Sequence, residues 1–455
     1  MRYRNSILAI AGLMVGGCAP AAAQQTPFGF GGTMGSEREG LRVLGASVTS
    51  AYFSSGIPIG FGQGISTGNL GVASHVWIGG STGVGWFKSR RNYSVSIQYT
   101  PSYFTSIETP ELSTVNHSFA LSSRVKFGSK WTFGFSASVV ASDLQQMLFG
   151  QSLFGALTAV PSTFDDLSGA LLTGRYSNDQ LASLLTGAPL ASSPESAYFY
   201  GSRLLTAGLR PTLRYEYSAR LSIGFNSYGT RNQFLHRSGV SAAESVPVAI
   251  PQTTSIGGGV QISYSLTPRT HVALDLTAYR TISRLQDSYG SMVSGSIGHT
   301  INRYWFVQAR FGSGYQSPLR QTINLNQGTQ YVYGGSVGLK VSSHTFMGNY
   351  DRTVGDTYGL GASTTGSAGA AWNWRVPGSV WSLNAVFGYQ TLNGPAFPDT
   401  TSYRITAGVV RKLGEHFSIS TSYGYFRIPT YLNLLTSPSQ NGVTMALSWT
   451  PSVVR

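Results

Sequence analysis

Hydrophobic and polar residues alternate in segment after segment of this chain. The last segment shows the pattern most clearly, because an apolar series that ends in an aromatic ring alternates with a small, polar series. The two series are Val443, Met445, Leu447 and Trp449, and Thr444, Ala446 and Ser448. A two-residue period predicts a β-strand with one apolar and one polar face. Such a strand fits a soluble sheet with its apolar face inward, or a membrane barrel with its apolar face outward.

The same pattern predicts eighteen strands. They lie near residues 41–55, 69–80, 93–107, 115–127, 131–144, 203–217, 220–235, 253–266, 271–284, 291–301, 305–317, 330–342, 346–358, 364–376, 381–394, 401–412, 417–431 and 441–450. Tight polar turns, often basic and followed by an aromatic residue, join them in pairs, as Gly128-Ser129-Lys130 does before Trp131. Sixteen strands is the alternative, because the Gly-rich segments 56–69 and 79–85 leave the first two strands weakly defined.

The first 23 residues predict export. Arg2 and Arg4 precede an apolar run, Ser6–Val15, that is too short to span a bilayer as a helix. Small residues at 21–23 offer a cleavage site before Gln24. These features predict a secretory signal peptide over 1–23, followed by a short periplasmic segment over 24–40.

Cys18 leaves a second processing route open. Val15-Gly16-Gly17-Cys18 resembles the lipobox of a lipoprotein, and cleavage there would leave a lipidated Cys18 at the N-terminus. Cys18 is also the one cysteine of the chain. If it leaves with the signal peptide, no disulfide or cysteine–metal framework can form.

Composition favours the membrane barrel over the soluble sheet. Charged residues make up 11% of the chain, whereas a soluble domain typically has about 25%. After the signal, no stretch approaches the run of about 18 apolar residues that a transmembrane helix needs. Together with export, the alternation predicts an all-β fold, a transmembrane antiparallel β-barrel over 41–450 in the outer membrane, with a tail at 451–455.

The alternation also assigns inner and outer faces, and one residue does not fit a regular strand. In the strand at 203–217, leucines and tyrosines face outward, whereas Arg210, Arg214 and Glu216 face inward. Pro211 falls on the outward face in mid-strand, where it cannot donate a ladder hydrogen bond. A closed barrel has no edge strand to accommodate it, so we expect a β-bulge there.

The insert at 145–202 differs from the rest of the chain. Ser162 and Asp165 form a capping pattern, and Leu167, Leu171 and Leu172 follow at helical spacing. The segment 179–187 repeats the scheme. The sequence therefore predicts a long, partly helical loop. It either folds into the lumen and narrows it, or packs on itself as an extracellular cap, which we favour.

From Leu41 to Trp449 the chain resembles Gram-negative outer-membrane β-barrels of the porin type. Its last strand is similar to the assembly signal of that class, although residues 450–455 follow Trp449 where the class usually ends on the aromatic. The resemblance implies insertion by the barrel-assembly machinery, contact with outer-membrane lipids, and passage of ions or small solutes. A shared fold does not by itself assign a function.

Charge indicates which solutes such a barrel would pass. Lys and Arg total 31 against 17 acidic residues. The alternation directs several arginines inward, and five are candidate pore-lining residues: Arg124, Arg210, Arg214, Arg310 and Arg404. The clearest inward acids are Glu216, Asp275 and Asp351. A lumen of net positive charge favours anions.

A competing interpretation applies to the basic residues close to the turns. Lys126, Lys340 and Arg375 are also directed inward, but each lies within a few residues of a tight turn. Basic residues at that level commonly anchor a barrel against anionic lipid head groups. Arg210, Arg310 and Arg404 lie deeper and are the better candidates for a solute path.

Enzyme functions find little support. The chain has no nucleotide loop with Lys-Ser/Thr, no His-Glu-x-x-His and no Gly-x-Ser-x-Gly. His236-Arg237-Ser238 resembles the His-x-Ser pair of outer-membrane phospholipases, but no Asn is placed to orient His236. Catalytic residues, a cofactor and a metal are therefore not expected. Export and the lack of a dense basic cluster argue against nucleic acid.

The sequence thus predicts an outer-membrane channel for passive diffusion of small, preferably anionic solutes. The alternative is a non-conducting barrel that acts as an export partner, adhesin or structural surface protein, its lumen closed by the 145–202 insert. Uptake of apolar ligands is a third hypothesis, motivated by the leucines of that insert. The oligomeric state stays open.

Overall fold

The computed structural model describes residues 39–53, 75–107, 114–143, 203–235, 252–283, 286–302, 304–321, 328–356, 362–394, 397–427, 439–449 and 451. Several sequence predictions lie outside these residues. They concern the signal peptide at 1–23, nearly all of the segment at 24–40, the partly helical insert at 145–202, His236, and the tail after 451. Among the described residues, no helix has the length and hydropathy needed to cross a membrane.

Eighteen antiparallel strands make up the described chain. They are β1 (Gly40–Phe53), β2 (His75–Ser89), β3 (Tyr93–Ser106), β4 (Thr114–Phe127), β5 (Trp131–Asp143), β6 (Arg203–Glu216), β7 (Leu221–Leu235), β8 (Thr253–Thr267), β9 (Thr270–Ser283), β10 (Gln286–Thr300), β11 (Trp305–Gln321), β12 (Gly328–Val341), β13 (His344–Asp356), β14 (Ala362–Arg375), β15 (Trp381–Gly394), β16 (Phe397–Lys412), β17 (Phe417–Arg427) and β18 (Ser439–Trp449).

The sheet closes on itself. Each strand pairs with its neighbours in sequence, and β1 also pairs with β18 from Ala46↔Trp449 to Phe53↔Gly442. Closure leaves no strand edge unpaired around the ring, which a β-structure in lipid requires. The all-β, eighteen-strand antiparallel barrel predicted from the sequence is therefore confirmed, and the sixteen-strand alternative is wrong.

Short turns join the strands at one end of the barrel. The eight turns there, at 90–92, 128–130, 217–220, 268–269, 301–304, 342–343, 376–380 and 413–416, have two to five residues. Gly128, Gly378 and Gly414 adopt φ of 63°, 63° and 111°, which a side chain would disfavour. β1 begins and β18 ends at this same end. Short turns mark the periplasmic side of an outer-membrane barrel, so we call this the periplasmic end.

The two faces of the wall differ in polarity as the alternation predicts. Phe311 and Tyr331 on the outward face leave 64% and 66% of their surface exposed. The inward face carries buried serines and threonines, such as Thr281 and Ser294. A closed barrel of even strand number with an apolar exterior belongs to the outer-membrane type. This confirms the predicted class, a porin-type barrel of the bacterial outer membrane.

Aromatic residues form a girdle near the periplasmic end. The rings of Trp131 and Tyr215 lie 4.5 Å apart across β5 and β6, and His344 stacks on Trp374 at 5.2 Å. The Arg411 guanidinium lies 4.3 Å from the Trp381 ring centroid. Rings and cations of this kind hold a barrel at the membrane–water interface.

Two predicted strand positions are wrong by more than a few residues. β2 spans 75–89 rather than 69–80, and β10 begins at Gln286 rather than 291. The glycines at 79–85 lie within β2, and Gly79 makes room for its neighbour, because a Cβ there would lie 2.6 Å from Cγ of Phe104 on β3. Glycine here accommodates cross-strand side chains and does not indicate a loop.

The predicted bulge at Pro211 is also wrong. On the β5 side, Phe135 pairs with Pro211 in an unbroken register. On the β7 side, Leu209↔Gly229 and Thr212↔Asn226 share one register, although the pairs between them are missing. The wall accommodates the missing N–H by omitting two ladder pairs, so no residue is inserted and the alternation of faces continues.

Candidate functional site: the inner wall of the barrel

The five predicted arginines lie at inward positions of the alternation. Arg124 is on β4, Arg210 and Arg214 are on β6, Arg310 is on β11 and Arg404 is on β16. The side chain of Arg404 lies outside the described part of the structure. Its backbone pairs with Gly388 on one side and Phe426 on the other.

Three of the arginines lie close together on β4–β6, and we call Arg124, Arg210 and Arg214 the basic cluster. Arg124 pairs with Gly134 on β5, which in turn pairs with Thr212 on β6. Arg210 and Arg214 flank Thr212 at the two adjacent inward positions. Neighbouring strands are about 4.8 Å apart, so Arg124 lies about 10 Å from β6. Gly134 places no side chain between them.

Within the basic cluster, local contacts compensate Arg214 only weakly. Nη2 of Arg214 donates to Oγ of Ser222 at 3.1 Å. Nε of Arg214 is 3.9 Å from the Glu216 carboxylate, and their side chains are 39% and 52% exposed. An exposed pair at that distance is worth little, because water screens it. Arg214 therefore keeps most of its positive charge.

Arg310 has a different environment. Its Nη2 donates to both carboxylate oxygens of Asp351, at 2.6 and 2.9 Å. The side chains are 22% and 5% exposed. Gly334 of β12 pairs with both residues and lies between them, and a Cβ there would collide with the Asp351 carboxylate. The ion pair crosses an entire strand because that strand carries glycine at this position.

A second acid adjoins this pair. Asp275 on β9 accepts a hydrogen bond from Gln261 and lies within electrostatic range of Arg310. Ser294 of β10 pairs with both Asp275 and Gly312, two residues from Arg310. The β9–β13 side of the wall thus holds two carboxylates around one guanidinium. The net charge of this side of the wall is therefore negative, opposite in sign to that of the basic cluster.

The inner wall also carries two tyrosines that the sequence alone did not single out. Tyr228, Gly257, Tyr279 and Gly290 follow one another in register from β7 to β10. Each tyrosine lies over a glycine: a Cβ at Gly257 would be 2.6 Å from Cζ of Tyr228, and one at Gly290 would be 2.5 Å from Oη of Tyr279. Arg210 acts electrostatically on Tyr228. The alternation marks these residues as inward, but only the register makes them neighbours.

The basic residues near the turns occupy the expected level. The backbone N–H groups of Lys126, Lys340 and Arg375 donate to carbonyls of Asn92, Tyr304 and Ser343, in or beside the adjacent turns, at 2.6, 2.8 and 3.1 Å. They therefore lie at the periplasmic end, away from mid-wall. In the described ranges, no group of three His, Cys, Asp or Glu side chains converges as a metal site would require.

No protein-family model matches the chain, and no curated protein matches it. Solved structures resemble its barrel. The outer membrane protein OpdK from Pseudomonas aeruginosa is 8% identical, with a TM-score of 0.43, over 90% of this chain and 98% of that one. A BenF-like porin from Pseudomonas fluorescens Pf-5 is 10% identical, with a TM-score of 0.43, over 90% and 99%. OccAB4 from Acinetobacter baumannii is 10% identical, with a TM-score of 0.43, over 91% and 98%. Identities this low carry no assignment of a solute.

Proposed function

We propose that this protein is a channel for passive diffusion of small solutes across the outer membrane, with a preference for anions. The observation that carries the proposal is the basic cluster, three inward arginines at adjoining positions of β4–β6. Charges of one sign on the wall of a narrow path raise the local concentration of counter-ions. Insertion by the barrel-assembly machinery and contact with outer-membrane lipids belong to the same proposal.

The contacts of Arg310 change which residues carry the preference. Because Asp351 accepts two hydrogen bonds from its guanidinium, the field of Arg310 is largely cancelled at a distance. In the basic cluster, the carboxylate beside Arg214 is that of Glu216, an exposed partner at 3.9 Å. Arg404 remains a candidate pore-lining residue on the basis of its inward backbone position alone. We therefore assign the anion preference chiefly to Arg124, Arg210 and Arg214.

The test is the reversal potential of single channels in planar bilayers under a salt gradient. The wild-type protein should show anion preference, strongest at low salt, where screening is weak. The triple variant Arg124→Gln, Arg210→Gln, Arg214→Gln should lose most of it. A matched control, Arg231→Gln, Arg280→Gln, Arg411→Gln, removes the same charge from the outward face and should keep it. Equal loss in both variants would contradict a role for the cluster.

Deletion of residues 150–195 separates the channel from the closed-barrel alternative. Conductance should rise if the insert constricts the lumen and stay the same if the insert is an extracellular cap. A wild-type protein that is folded but never conducts would refute the channel. If the deletion variant then conducted, a barrel closed by its insert would replace the channel as the proposed function.

A further inference from the structure

Two outward-facing clusters of the same composition lie on the wall. Each contains one arginine and two tyrosines, and we call them the Tyr–Arg clusters. The first consists of Tyr333, Tyr350 and Arg352, and the second of Tyr403, Tyr425 and Arg427. Tyr333 and Tyr350 are 36% and 40% exposed. Ile405 and Tyr423, which share the face of the second cluster, are 46% and 48% exposed.

The two clusters are built in the same way. In each, a tyrosine on one strand pairs directly with the arginine on the next, as Tyr333↔Arg352 and Tyr403↔Arg427. The second tyrosine precedes the arginine by two residues and so lies on the same face. The arrangement occurs once on β12–β13 and once on β16–β17. Repetition of one three-residue arrangement at two separate places indicates a shared role.

The contacts leave the guanidinium groups charged. Nη1 of Arg352 donates to Oη of Tyr333 at 3.5 Å, and Nη1 of Arg427 donates to Oη of Tyr403 at 3.3 Å. A neutral hydroxyl does not cancel the charge. Nε of Arg352 makes no hydrogen bond within the described residues. By contrast, Arg280 on the same outer surface donates to both carboxylate oxygens of Asp287.

The tyrosines hold the arginines in place. The rings of Tyr333 and Tyr350 lie 5.8 Å apart at 28°, and those of Tyr403 and Tyr425 lie 6.1 Å apart at 43°. The Arg352 guanidinium lies 5.7 Å from the Tyr333 ring centroid. A guanidinium held against aromatic rings has already lost much of its rotamer freedom. Less entropy is then lost when it binds an anion.

Height along the barrel defines what these clusters face. Arg352 lies eight residues beyond His344, and Arg427 lies ten residues beyond Phe417, both counted from the periplasmic end. A tilted strand rises about 2.5 Å per residue along the barrel axis, which places both arginines about 20–25 Å above the periplasmic girdle. The apolar band of such barrels is about 25 Å tall. The clusters therefore lie at its outer boundary, level with the head groups of the outer leaflet.

We propose that each Tyr–Arg cluster binds a phosphate group of lipopolysaccharide, the anionic lipid of the outer leaflet. A guanidinium presents parallel N–H groups that match two phosphate oxygens, and such charge-assisted pairs are stronger than neutral ones. The tyrosine hydroxyls add donors at the same level, while their rings pack against the lipid chains. The barrel thereby gains two fixed lipid contacts on its outer rim, independent of whether the lumen conducts.

Binding of lipid A to the full-length protein in detergent tests the proposal. A basic residue near an anionic surface contributes about fivefold in affinity, so Arg352→Gln with Arg427→Gln should weaken binding roughly 25-fold. The matched control is Lys88→Gln with Arg411→Gln. It removes two cations that lie over Tyr93 and Trp381 on the outward face of the periplasmic end, and should leave the affinity unchanged.

Further variants and ligands separate the phosphate sites from simple charge attraction. Arg352→Lys with Arg427→Lys keeps the charge but loses the planar fork, and should bind with intermediate affinity. Tyr333→Phe with Tyr403→Phe should weaken binding severalfold. If the Gln variant does not fold, this Phe variant tests the proposal in its place. Dephosphorylated lipid A should bind no better to the wild type than to the Gln variant.

Three outcomes would overturn the proposal. They are an unchanged affinity in the folded Gln or Phe variants, an equal loss in the periplasmic control, and equally tight binding of dephosphorylated lipid A. Inorganic phosphate is the remaining probe. If it alone bound as tightly as lipid A, the sites would be for free phosphate rather than for lipid.

Discussion

Arg310 and Asp351 form an ion pair across a whole strand. Nη2 of Arg310 lies 2.6 and 2.9 Å from the two carboxylate oxygens, and Gly334 of the intervening strand leaves room for the Asp351 carboxylate to reach across. The pair ties β11 to β13 and cancels one of the arginines that the sequence directs into the lumen. Two inward positions of opposite charge thus become one neutral element of the wall.

Neutralising Asp351 should increase anion preference. Asp351→Asn frees the charge of Arg310, and a unit charge about 10 Å from a permeating ion in water changes its energy by about 0.4 kcal/mol. The anion is stabilised and the cation destabilised by that amount, so the anion-to-cation permeability ratio should rise about fourfold. Reversal potentials at low salt measure it.

Replacing Arg310 tests whether the effect of Asp351→Asn comes from the ion pair. Arg310→Gln leaves Asp351, which is 5% exposed, without its main partner. It should lower both anion preference and stability, the latter by about 1–3 kcal/mol, less than for a fully buried pair because the lumen side is partly solvated. The double variant Arg310→Gln, Asp351→Asn should recover the wild-type preference. A double variant that behaved like Arg310→Gln alone would contradict the pairing.

Gly312 should not tolerate a side chain. A Cβ there would collide with the backbone carbonyl of Val293 and would lie 2.6 Å from Cα of Ser294, so Gly312→Ala must push β10 and β11 apart. Overpacking of this kind costs about 1–3 kcal/mol. The temperature at which the folded form disappears from a denaturing gel should fall. Gly388→Ala is the matched control, because no atom of the described residues lies within 4 Å of that Cβ, and it should behave as wild type.

The seam between the first and last strands should accept a disulfide. Ser47 and Ser448 pair directly across β1 and β18, so Ser47→Cys with Ser448→Cys should crosslink under oxidising conditions. The boiled, unreduced protein should then migrate differently from the reduced one. Ser47→Cys with Thr444→Cys should stay uncrosslinked, since Thr444 pairs with Ala51, about 13 Å along the strand. Crosslinking only in the second variant would mean that the seam has a different register.

Processing after Ala23 remains a prediction from the sequence. The mature chain should begin at Gln24 and carry no lipid, which intact-mass spectrometry of the membrane-extracted protein detects. A mass matching a diacylated chain that begins at Cys18 would instead show a lipid-anchored barrel.

Faces were predictable along the wall, whereas the positions of two strands and the registers between strands were not. The alternation in β6 placed Arg210 and Arg214 inward and the leucines outward, because residues i and i+2 of a strand share a face whatever the partner strand. It failed for β2, where the Gly-rich segment 79–85 left the strand weakly defined, because Gly79 makes room for the ring of Phe104 on another strand. The bulge expected at Pro211 failed similarly, since the ladder could omit pairs without shifting.

The amino-acid sequence alone determined the class of this protein: an all-β outer-membrane barrel with an apolar exterior, a polar interior and an excess of basic side chains. These properties follow from the short-range periodicity within each strand and from the composition of the whole chain. The tertiary structure decided which charges act together. Register brought Arg124 beside Arg210 and Arg214, placed Asp351 against Arg310 over Gly334, and set Tyr333 and Tyr403 opposite their arginines. Pairing between strands is set by the closure and stagger of the whole barrel, so no single segment encodes it.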